Sequence, residues 1–172
     1  ERRVRMFVWA SADDAGKRHM EIRVAHPTYA VIHTAVGAPP GHELTLMVVD
    51  RALDPSHQVG LIREGIAGAL DQSKNDLLKG ARRAVAAADE PVSIRAWWEM
   101  GADAWAQIPE RLRSSVAGAF VAHLRERGGP EKLRRLMRDQ RIERARQIYG
   151  ADSLDRWIQA FETRLKAGDA GQ

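Results

Sequence analysis

Gly41-His42-Glu43-Leu44-Thr45-Leu46-Met47-Val48-Val49-Asp50 is the stretch on which the reading of this chain turns. Just before it lies Gly37-Ala38-Pro39-Pro40-Gly41, a run of breakers that no regular element passes through. On the N-terminal side the sequence favours strands. Val4 to Ala10 and Tyr29 to Val36 are rich in branched and aromatic side chains, and Glu21 to Ala25 offers a third short strand. Ser11, followed by two aspartates, is placed to cap a short helix, and His26-Pro27-Thr28 marks a turn.

On the C-terminal side the pattern is helical almost throughout. The spacing predicts helices over His42 to Leu53, Gln58 to Leu70, Ser73 to Ala87, and Ser93 to about Trp105. Three clearer ones follow. Ser114 to Arg127 places Val116, Phe120 and Leu124 four apart and stops at Gly128-Gly129-Pro130. Glu131 to Tyr149 runs to Gly150, and a last helix capped by Asp152-Ser153 carries Leu154, Trp157, Ile158, Phe161 and Leu165 on one stripe. These stripes read as core. The expected fold is α+β, with a small N-terminal β-sheet followed by a mostly helical part. It would form a single domain over residues 1–166 with a flexible tail over 167–172.

Composition agrees with a globular domain. A chain of 172 residues with 44% hydrophobic and 29% charged content buries a core without staples. It has no cysteine, which excludes disulfides, thiolate metal sites and cysteine nucleophiles. No apolar run reaches the roughly 18 residues needed to span a bilayer. The chain begins at Glu1, so it is expected to be a piece trimmed from a longer protein. Net charge is +4, concentrated between Arg111 and Arg146, where eleven basic residues stand against four acidic ones. Such a surface attracts phosphate backbones or anionic lipid, although no aromatics interleave the basic residues from Arg125 to Arg141 to stack bases.

The chemistry sits at His42 and Glu43. In a His-Glu-x-x-His helix, two histidines four apart grip zinc on one face while the glutamate activates the bound water. Here Leu46 stands where the second histidine would be, and Glu64 follows eighteen positions later in Arg63-Glu64-Gly65-Ile66-Ala67. A strand layer, a His-Glu helix and a second helix with this Glu-Gly run resemble the gluzincin zinc metallopeptidases. The likeness continues through Ala117-Gly118-Ala119-Phe120-Val121, Gly129-Pro130-Glu131-Lys132-Leu133 and Tyr149-Gly150, and spans most of residues 4 to 165.

The resemblance implies a zincin-like fold, His42 and Glu64 as metal ligands, Glu43 as general base, and an extracytoplasmic setting. Catalytic zinc uses three protein ligands and a water, and leucine has no lone pair to give. The leading expectation is therefore a metallopeptidase-like domain without zinc-dependent catalysis, acting as a binding or scaffold module for a peptide or protein partner. An active zinc peptidase with an atypical third ligand is the enzyme alternative, and a helical module binding anionic surfaces or nucleic acid through its basic helices is the third. Candidates for the missing ligand are His33, His57 and Asp50. The last lies about 6 Å further along the helix axis from Leu46, too far to share an ion comfortably with His42. His123 and Tyr149 read as helix residues at the edge of the core.

Overall fold

The computed structural model describes residues 5–18, 20, 24–26, 31–36, 41–53, 55–70, 76–89 and 91–167. It divides into two compact units, Glu1–Asp54 and Pro55–Gln172. The fold is α+β, with a small sheet in the first unit and helices making up the second.

In the first unit, β1 (Arg5–Trp9), α1 (Ala12–Gly16), β2 (Val24–His26) and β3 (Val31–Ala35) precede α2 (Gly41–Leu53). The sheet order is β1-β3-β2. β1 runs parallel to β3 with Phe7 opposite His33, and β2 runs antiparallel to β3 with Val24 opposite the same histidine. Central β3 is buried along its whole length, which suits its branched residues. Met6, Phe7 and Val8 on the outer strand are exposed. Ser11 caps α1 by accepting from the Asp14 amide at 3.1 Å. On α2 the three-residue spacing of Leu44 and Met47 puts both against Ile32 of the sheet.

The second unit holds α3 (Gly60–Leu70), α4 (Leu77–Ala86), α5 (Ile94–Glu99), α6 (Ala102–Gln107), α7 (Glu110–Gly128), α8 (Pro130–Leu136), α9 (Ile142–Tyr149) and α10 (Ala151–Lys166). Its centre is α7, against which α3 and α4 pack most extensively, with α10 closing over α4 and α7. Small residues allow the closest approach. A Cβ on Gly65 would lie 2.5 Å from the Ala117 carbonyl oxygen, and one on Gly68 would lie 3.1 Å from Gly118 Cα. Beside this seam Trp98 meets Phe120 edge-on at 5.6 Å, and Phe120 meets Phe161 at 5.2 Å.

Two helices expected to be continuous are broken. The Ser93–Trp105 segment becomes α5 and α6 because Met100 and Gly101 take extended backbone between them. The Glu131–Tyr149 segment becomes α8 and α9 because tertiary bonds pull its middle straight. Gln140 is fully buried and its Oε1 accepts from the Val59 amide at 2.9 Å. The Gln140 carbonyl accepts from Trp98 Nε1 at 2.7 Å, and its amide donates to the His57 carbonyl at 3.2 Å. These bonds oblige residues 139–141 to leave the helix that their side chains alone would continue. α7 starts earlier than expected, at Glu110. α10 starts at Ala151 with Gly150 at φ +87° in the capping position, so Asp152 and Ser153 lie inside the first turn. Residues 71–75, part of the helix expected from Ser73, and the tail beyond Ala167 lie outside the described residues.

The α3–α7 seam makes a paired prediction. Gly65→Ala should lower unfolding free energy by about 1–3 kcal/mol through overpacking. Gly80→Ala, in α4 with open space around it, should raise it by about 0.5–1 kcal/mol. Urea denaturation of both variants checks this, and equal effects of one sign would refute the close packing.

Candidate functional site

The expected site residues are divided between the two units. In the first unit, His42 lies half-buried in the first turn of α2, and Glu43 follows it in the same turn. Leu46, one turn on, is 8% exposed and belongs to a buried apolar run with Met47 and Val49. Its position is thus filled by a side chain that contributes to burial. Asp50 is half-buried at the far end of the same helix and makes a polar contact of its own.

His33 is committed elsewhere. Its Nδ1 accepts a hydrogen bond from Trp9 Nε1 at 3.1 Å, and its ring stacks on Phe7 at 5.1 Å and on Trp9 at 6.0 Å. A neutral imidazole that accepts at Nδ1 carries its proton on Nε2, so neither nitrogen has a lone pair left for a metal.

In the second unit, Glu64 lies on α3 with its carboxylate mostly buried. Its Oε1 accepts from Trp105 Nε1 at 3.1 Å and faces Arg113 Nε at 3.1 Å as an ion pair. The guanidinium is itself anchored, because Arg113 Nη1 donates to the carbonyls of Ala106 at 3.2 Å and Trp105 at 3.4 Å. The indole sits where Gly60 leaves room, since a Cβ there would come within 2.6 Å of Trp105 Nε1, and it meets Trp97 edge-on at 5.6 Å. Glu64 therefore already has a cation and a neutral donor. His57 is exposed and engaged through its backbone with Asp139 and Gln140.

Glu64 belongs to the second unit and His42 to the first. Among the described residues, no three His, Asp or Glu side chains gather as a metal site. The donor set does not fit a catalytic zinc: Leu46 has no lone pair, and the Glu64 carboxylate is held by Arg113 and Trp105.

The partners of Glu64 escaped the sequence reading. In the sequence pattern Arg113 is only one charge in a basic run, and Trp105 only a helix end. Nothing in local spacing connects residue 64 to residues 41 and 49 positions away, so no pattern signal existed for them. The basic stretch is exposed along α8 and just beyond it, at Arg134, Arg135 and Arg138, while Arg141 is paired with Asp139 at 2.6 Å. That pairing holds the Asp139 carboxyl at about 2, chiefly through the side-chain hydrogen bond.

His123, expected at a core edge, is 3% exposed between α7 and α10. Its Nδ1 lies 3.3 Å from Arg164 Nη1 and must be the acceptor, since a guanidinium only donates. Its Nε2 is buried without a hydrogen-bond partner among the described residues. Burial first, then the charges of Arg164 and Arg127, push the imidazole below its ordinary 6.5, with Glu126 and Trp157 opposing. Tyr149 is also buried, its hydroxyl has no partner among the described residues, and burial pushes its phenol upward. It packs edge-on against Trp157 at 5.6 Å.

No family model, curated protein or solved structure matches this chain. Among the described residues no helix is long and apolar enough to cross a membrane.

The state of His123 has a pH consequence. Its folded pKa is depressed, so the unfolded chain binds more protons below about 6.5, and the stability it contributes is present above that pH and lost as pH falls through it. Unfolding free energy should drop between pH 7.5 and 5.5 by at most about 1.4 kcal/mol per pH unit from this group. The slope should flatten in His123→Gln, as measured by urea titrations across that range. An unchanged slope would place the protonation change elsewhere.

Proposed function

We propose that this chain is a metallopeptidase-like domain that has lost zinc-dependent catalysis and serves as a binding or scaffold module for a peptide or protein partner. The observation that carries this reading is the double loss of donors. The position four after His42 holds a buried leucine, and the carboxylate of Glu64 is neutralised by Arg113. A zinc ion recruiting Glu64 would compete with the Arg113 charge and the Trp105 hydrogen bond, both held at Oε1, and the nearby cation would weaken its hold. His42 alone then offers one neutral ligand, far below what fixes a catalytic metal. With no polarised water to deprotonate, Glu43 has no substrate for a base role.

The likeness of Arg63-Glu64-Gly65-Ile66-Ala67 and of the closing segments to gluzincins supports the ancestry. The exposed arginines of α8 also suit an acidic surface, but their lack of interleaved aromatics favours a protein partner over nucleic acid.

Elemental analysis of protein prepared without chelators tests the reading. The wild type should carry no stoichiometric zinc and cleave no peptide, and Leu46→His, which sets two imidazoles four apart on α2, should gain zinc. Stoichiometric wild-type zinc with peptide cleavage abolished by Glu43→Gln would overturn the loss of catalysis. Zinc bound by neither protein would remove the metallopeptidase ancestry.

A further inference from the structure

A second feature of the helical unit lies apart from Glu64 and Arg113. Helices α4, α7 and α10 line an open pocket of about 390 Å³, within the range of small-ligand sites. Leu77 and Leu78 of α4, Ala122 of α7 and Phe161 of α10 form apolar walls. Among the described residues, Arg125 and Arg164 also line this pocket, with Glu126 as the single acidic one. Among the described residues neither arginine pairs with a carboxylate. Arg164 is nevertheless held in place: its Nη1 donates to buried His123, and its backbone carbonyl accepts from Arg82 Nε at 2.8 Å.

We propose that this pocket binds a small amphipathic carboxylate, its anionic head against Arg164 and Arg125 and its apolar body against Leu77, Leu78 and Phe161. The chemistry follows from the lining. A planar guanidinium takes a carboxylate through two parallel hydrogen bonds, and Arg164 spends only part of its five-donor fork on His123. His123 is the positioning residue. Because a guanidinium supplies donors only, its neutral imidazole serves as acceptor and steers Arg164 without competing for the anion. Two cations to one carboxylate leave the pocket with a positive balance, and the walls reward an apolar body that a free inorganic anion lacks.

Octanoate is the probe, with octanol as the uncharged match, followed by isothermal titration calorimetry and by the methyl resonances of Leu77 and Leu78. Arg164→Gln keeps an amide donor for His123, and Arg125→Gln alters an exposed side chain, so both should fold, as their circular dichroism and unfolding midpoints will report. Octanoate should bind saturably and shift the Leu77 and Leu78 methyls. Octanol should bind about tenfold more weakly, and Arg164→Gln should weaken octanoate by about tenfold, the size of one lost charge-assisted contact. Three results would each overturn the proposal: no saturable octanoate binding at millimolar concentration, octanol binding as well as octanoate, or both arginine variants binding octanoate as the wild type does.

Discussion

The helical unit depends on how closely α3 and α7 approach. Gly65 and Gly68 on one helix face Ala117 and Gly118 on the other, and the backbone of α7 occupies space where side chains of α3 would stand. That approach sets where Glu64, the residue before Gly65, emerges. It reaches Arg113, one turn before Ala117 on α7, and the carboxylate and guanidinium pair across the seam at 3.1 Å. Packing and electrostatics act on the same two turns. α4 and α10 then complete the unit around α7, and the aromatic contacts of Phe120 with Trp98 and Phe161 fill its centre.

This arrangement bears directly on function. A glutamate that serves as a metal ligand keeps its oxygens available to an ion, whereas Glu64 has its Oε1 shared between an indole and a guanidinium. On α2 the position that would complete a histidine pair is spent on burial. A buried leucine four positions after His42 and a carboxylate paired with Arg113 each serve the cohesion of their own unit. Arg164 and His123 lie elsewhere, at the α4–α7–α10 pocket, with Arg164 Nη1 3.3 Å from His123 Nδ1.

Much of the architecture was legible because local signals agreed with tertiary needs. The breaker cluster at residues 37–41 separated strands from helices, the branched residues of β3 marked a buried strand, and the stripes on α7 and α10 faced the core as their spacing required. The misread middle of the Glu131–Tyr149 segment has a tertiary cause. Residues 137–141 contain neither glycine nor proline, yet the chain leaves the helix there because buried Gln140 satisfies Val59, Trp98 and His57. Periodicity sees only neighbours a few positions apart, and these bonds join residues tens of positions apart. The same limit hid Arg113 and Trp105 from any reading of Glu64. His42, Glu43 and Leu46 were found as a motif, whose meaning rests on partners that the motif does not contain.

A double-mutant cycle on Glu64→Gln and Arg113→Gln, read by urea unfolding with and without added zinc, tests the central claim most directly. The account predicts a coupling energy of about 1–2 kcal/mol, above the roughly 0.2–1 kcal/mol of exposed pairs, with zinc leaving the wild type unmoved. Coupling near zero, together with a zinc-dependent stabilisation that Glu64→Gln abolishes, would show that the carboxylate serves a metal and would contradict the account.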